Sequence, residues 1–196
     1  MPARPMSPRD AAGFTLVELA VTITLLAVVM VIVTGVLLNS DRVHSRTVRR
    51  AEVQSGSRQA LSLMTMELRQ AGADPSFPPA GITRIVSATA TSVRIRSDLN
   101  GNGTIETAEP SEDVTYSFNA GTRAIMRDPG TGAAMLAADV DSLRFSYYDA
   151  DGDSLTTFPL SASDAALVHV IGITFTAEDR DSHPITLSTR VTLRNS

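Results

Sequence analysis

Hydrophobic and polar positions fall into three regimes along the chain. From Phe14 to Leu38, 19 of 25 residues are hydrophobic and Glu18 is the only charge. A helix of that length covers about 37 Å at ~1.5 Å per residue, more than the ~30 Å hydrocarbon core of a bilayer. The run therefore predicts a membrane-spanning helix over 14–38. From Ser40 to Ala71 there is no proline and one glycine, Gly56. Val43, Val53, Ala60, Leu61, Met64, Leu68 and Ala71 recur at helical spacing, and Arg42, Arg46, Arg49, Arg50, Arg58 and Arg69 occupy much of the rest. The pattern predicts that the helix continues over 39–71 as an amphipathic extension, with Met64 and Met66 as core packing. It stops at the Pro- and Gly-rich segment 72–81.

Beyond residue 81 the period becomes alternating. Strands are expected at Ile82–Ser87, Ser92–Arg96, Val114–Phe118, Ala124–Arg127, Leu143–Tyr148, Val168–Thr176 and Ile185–Leu193, with a hairpin at Asn119–Thr122. No second helix of convincing length is evident. The fold class is α+β: a long N-terminal helix, half transmembrane and half amphipathic, packed on an antiparallel β-sheet head over 82–196.

Composition narrows the chemistry. Among 196 residues there is no cysteine, which excludes a disulfide framework, thiol catalysis and a cysteine zinc site. All 17 basic residues are arginine; nothing physical in the sequence explains that bias. The net charge of −4 divides into +1 for residues 1–13, −1 for 14–38, +3 for 39–71 and −7 for 72–196. An acidic body does not suit nucleic-acid binding, which draws on a basic surface. His44, His169 and His183 are scattered outside any metal or nucleophile motif, His169 reads as a packed residue, and no phosphate loop or nucleophile elbow is present. The expectation is a protein that is not an enzyme.

The junction Gly13-Phe14-Thr15-Leu16-Val17-Glu18 ends a short polar leader, residues 1–13, and opens the apolar run. The run is longer than the ~7–15 apolar residues of an ordinary secretory signal. The junction resembles the class III signal of type IV pilins and pseudopilins: a leader ending in glycine, an aromatic residue, and a glutamate at the fifth mature position. The resemblance implies cleavage between Gly13 and Phe14 by a prepilin peptidase, methylation of the new Phe14 amine, and partnership with other pilin or pseudopilin subunits and an inner-membrane assembly platform. It also implies a single-pass inner-membrane protein with a cytoplasmic N-terminus and a periplasmic head. Arginine counting alone, with Arg4 and Arg9 before the span and four arginines soon after it, gives the opposite orientation; the resemblance overrides it.

A carboxylate in a membrane helix costs up to ~3 kcal/mol at the centre and less near an end. Glu18 has two readings. It reaches headgroups and complements the positive helix terminus, for ~0.3–1 kcal/mol, or, as the resemblance implies, it pairs with the Phe14 amine of a neighbouring subunit. Gly35 and the threonines Thr22, Thr24 and Thr34 are either small contact residues or ordinary residues of a membrane helix.

Residues Asp98 to Glu109 match the calcium-loop template D-x-[DN]-x-[DN]-G-x5-E. Its donors would be Asp98, Asn100, Asn102, the Thr104 carbonyl, Glu106 directly or through water, and a bidentate Glu109, with Gly103 at the turn. The alternative is a polar hairpin loop without metal. The stretch Asp149–Asp153 lacks the required glycine and glutamate spacing and is expected to be a hairpin turn. The tract Val140–Gly152 resembles the C-terminal part of PilW-type and J-type minor pseudopilins, pointing to a minor component near a filament tip or initiation complex. The competing class is a membrane-tethered periplasmic calcium- or ligand-binding module that does not polymerise.

Overall fold

The computed structural model describes residues 15–107, 111–178 and 184–194, apart from the side chains of residues 41–43 and 46. The chain forms two compact units that divide between Ser45 and Arg46. One helix, α1 (Leu16–Gln70, 55 residues), supplies the first unit and begins the second.

In the first unit Leu16–Ser40 is long and apolar enough to cross a membrane, the single such helix among the described residues. It is rich in β-branched Val, Ile and Thr, which are mediocre helix formers in water. In hydrocarbon every backbone polar group must be satisfied within the segment, so a helix is the available solution. Its side chains are exposed, Leu16 at 85% and Val31 at 74%, as a lipid-facing surface would be.

In the second unit the expected amphipathic face is the buried one. Ala60, Met64, Leu68 and Ala71 are inaccessible, and Val53 and Leu61 pack at the margin of the core. Met66 departs from the expectation: it is 54% exposed, whereas Met64 is 0%. Two positions along an α-helix turn about 200°, so the two methionines cannot share a face. Gly72, at φ +77°, ends the helix, and its N–H donates to the Arg96 carbonyl at 2.7 Å.

The head holds two antiparallel sheets where the sequence suggested one. The first is a meander in the order β1 (Ile85–Ala88), β2 (Ser92–Arg96), β3 (Asp113–Asn119), β4 (Ala124–Asp128), β5 (Ala134–Ala137). The second runs β7 (Ser154–Leu155), β6 (Val140–Tyr148), β8 (Val170–Ala177), β9 (Ile185–Thr192). A six-residue helix, α2 (Ala162–Leu167), precedes β8, capped by the Ser161 hydroxyl accepting from Asp164 N–H at 3.1 Å. The expected hairpins form at Asn119–Ala124 and Tyr148–Ser154. In the second, the Asp149 carboxylate accepts from Asp151 N–H at 3.1 Å and Asp153 N–H at 2.8 Å.

Backbone bonds join the sheets. Phe145 N–H reaches the Ala90 carbonyl at 2.8 Å, Leu160 N–H the Ala88 carbonyl at 2.9 Å, and Val140 N–H the Arg123 carbonyl at 2.9 Å. Tyr147 adds a side-chain tie, its hydroxyl donating to Thr89 O at 2.9 Å. Tyr116, Tyr147, Phe145 and Phe175 are fully buried, and with Met64 and Leu68 of α1 they form one core.

Candidate processing and assembly site

Gly13 and Phe14 lie outside the described residues. The site that can be built begins at Thr15. The Thr15 hydroxyl accepts from Glu18 N–H at 3.2 Å, and its carbonyl accepts from Leu19 N–H at 3.1 Å. Thr15 is thus a helix N-cap, with Glu18 three residues on, the spacing of a capping box. The positive end of the helix favours a carboxylate there. Glu18 is exposed, and among the described residues it makes no ion pair.

Further along, the Thr22 hydroxyl donates to Leu19 O and the Thr24 hydroxyl to Ala20 O, both at 2.8 Å. Each donor is satisfied inside the helix, so neither threonine needs a helical partner to sit in lipid. Nothing lies within 4 Å of where a Cβ on Gly35 would stand.

The calcium-template loop is ordered by its own hydrogen bonds. Asp98 is 0% exposed, and its carboxylate accepts from Gly101 N–H at 2.6 Å and Gly103 N–H at 2.8 Å. Gly101 and Gly103 take φ near +76° and +75°, which glycine adopts without strain. Asn100 and Asn102 both donate to the Glu106 carboxylate, at 3.0 and 3.1 Å. Thr104 donates to Asn102 Oδ1 through its N–H at 2.8 Å and its hydroxyl at 2.6 Å. Four of the six expected donors, Asp98, Asn100, Asn102 and Glu106, are therefore in one loop with Thr104 beside them; Glu109 lies outside the described residues. Among the described residues no group of three or more His, Asp or Glu side chains is arranged to hold a metal.

Two carboxylates that the sequence did not single out hold the head together. Glu112, 2% exposed, accepts from the N–H groups of Leu99 at 2.7 Å, Asn100 at 3.2 Å and Glu106 at 3.1 Å, anchoring the loop base. Glu67, on α1, takes a forked pair from Arg127 of β4, with Nη2 at 2.8 Å and Nε at 3.1 Å, and also accepts from the Tyr116 hydroxyl. Burial, then the Glu67 charge, push the Tyr116 phenol well above its ordinary pKa, so it stays a donor. On the first sheet Asp113 receives Arg94 and Arg96, at 2.8 and 2.9 Å, and the Arg94 hydrogen bonds hold its carboxyl below the ordinary range against the cost of burial.

Residues 8–34 match the family model of the prokaryotic N-terminal methylation motif. Over these residues the chain is similar to type IV pilin-like proteins. The match covers Gly13 and Phe14, the N-cap and most of the apolar helix, and ends before the head. No curated protein matches the chain. The motif marks a pilin-like substrate of prepilin peptidase, a structural class rather than a catalytic one, and implies assembly with other pilin subunits. The exposed apolar helix at Leu16–Ser40 is consistent with the membrane anchoring of such proteins.

Proposed function

We propose that the protein is a minor pilin or pseudopilin. It is cleaved between Gly13 and Phe14, stored in the inner membrane with its head in the periplasm, and drawn into a filament of a type IV pilus or type II secretion system, at initiation or at the tip. The observation that carries this reading is Glu18: an exposed carboxylate one turn into a lipid-grade helix, without a cationic partner among the described residues. A carboxylate kept in such a place calls for a partner from outside the chain, and the Phe14 amine of a neighbouring subunit supplies one. The expected mature N-terminus is N-methyl-phenylalanine, read by mass spectrometry of the protein from its native host. Retention of Met1 would instead favour a membrane-tethered module that never polymerises. Glu18→Ala is expected to leave membrane insertion intact and to abolish co-purification with sibling subunits.

A second reading concerns the loop at 98–109. The template match in the sequence is what supports calcium binding by Asp98, Asn100, Asn102, Thr104, Glu106 and Glu109; the Asn100 and Asn102 amides, whose N–H groups face Glu106, would turn their oxygens to the ion. With two neutral amide donors the affinity should be weak, about 10⁻⁴–10⁻³ M. Isothermal titration of the full chain in detergent tests it: heat that saturates in this range is expected, and no binding below about 10 mM removes the site.

A further inference from the structure

The amphipathic half of α1 and strand β9 border a groove of about 640 Å³. Its charged lining is cationic throughout: Arg58 and Arg69 from the helix, Arg194 from the chain just past β9. None of the three has an ion-pair partner among the described residues, although residues 72–196 carry a net charge of −7. Here the basic helix segment, +3 over residues 39–71, meets Arg194 of the acidic body in one cationic patch. Its floor is apolar, with Leu61 beside the 54% exposed Met66.

The other wall is a strand edge. β9 is the last strand of the second sheet, and along its eight residues it pairs with β8 alone among the described residues. Its register with β8 runs without a bulge from Val170↔Thr192 to Ala177↔Ile185. Proteins usually blunt such edges with proline, bulges, charges or shortness, because unpaired N–H and C=O groups template the addition of another strand. β9 holds no proline and one charge, Arg190. Thr189 of β9 lines the groove, so a segment added along this edge would run beside the arginines.

We propose that this edge and groove take an extended acidic segment of another pilin-like subunit, added as a strand beside β9 and held by Arg58, Arg69 and Arg194. Main-chain bonds would supply affinity, and the arginines would select the acidic partner. The inference rests on the assembly reading above and names the chemistry of one contact within it.

The test places a photo-crosslinking amino acid at Ser188, on the exposed side of β9, and separately at Ser146 in the middle of the same sheet, in the full chain expressed in its native host. Irradiation is expected to give adducts from Ser188 and not from Ser146, mapping to an acidic segment of a pilin-like subunit. Arg69→Glu combined with Arg194→Glu should lower the adduct yield at least tenfold while leaving the thermal unfolding of the purified chain unchanged. No adduct at Ser188, an adduct on a neutral or basic segment, or an undiminished yield in the double variant overturns the proposal. N-terminal mass spectrometry on the same cells separates the two failures. Methylated Phe14 without the adduct refutes this contact alone; an unprocessed N-terminus refutes the assembly reading first.

Discussion

Glu67 sits 49 positions from Tyr116 and 60 from Arg127, so nothing in its own neighbourhood announces their triad. Its side chain is 15% exposed and that of Arg127 18%. Glu67→Ala removes the carboxylate that a largely buried guanidinium and a buried phenol both donate to. The expected loss is about 2–3 kcal/mol, below the ~3–5 kcal/mol of a fully buried pair, in chemical unfolding followed by tyrosine circular dichroism. Removing both ends together, as Glu67→Met with Arg127→Met, should cost less than the sum of the single changes. Asp113 gives a pH dependence. Its folded pKa is depressed by Arg94 and Arg96, so its contribution is present above the ordinary aspartate value of ~3.9 and is lost as pH falls through the folded value. Asp113→Asn should therefore be less stable than the wild type at pH 7, and the difference should shrink towards pH 3. Measuring the two unfolding midpoints across that range checks the sign. Glu112 belongs with these residues: three backbone N–H groups 6 to 13 positions away depend on it, and no local pattern in the sequence marks it.

The helix is the element most legible in the sequence, because its two halves carry patterns that need no tertiary context. The apolar run reports lipid, and the spaced apolar positions report a buried stripe. What the pattern left open is which methionine belongs to that stripe. Met64→Ala should destabilise the head by about 2–5 kcal/mol, as truncation of a buried methionine does, while Met66→Ala should change stability by less than ~0.5 kcal/mol. Equal effects in thermal unfolding would contradict the packing described. Strands with clear alternation were legible to within a few residues. β1 starts at Ile85 rather than Ile82 because the N–H groups of Gly81 and Ile82 turn to the Asp74 carboxylate, at 2.8 and 3.5 Å. β8 starts at Val170 rather than Val168 because Val168 caps α2. β5, β7 and α2 were missed for their shortness: four, two and six residues give no period to read.

At the scale of the whole molecule, the N-terminal methylation motif was legible because it is local. Gly13, Phe14 and Glu18 lie within six positions, and the family match falls on them. The capping role of Thr15 could also have been read, from its spacing to Glu18. The division of the head into two sheets could not, since strand order depends on pairings between distant segments. These two parts answer to different measurements: Glu18→Ala should spare the unfolding transition of the head, and Glu67→Ala should spare membrane insertion.

The join between the sheets carries a further consequence. Phe145, Leu160 and Val140 reach Ala90, Ala88 and Arg123 through main-chain N–H and C=O groups. Such bonds do not read side chains. The exposed positions beside the seam are therefore free to change without loss of register, whereas Phe145, Val140, Leu160 and Ala88 stay tied by burial in the core, so substitutions at the join should be tolerated on its surface and not beneath it.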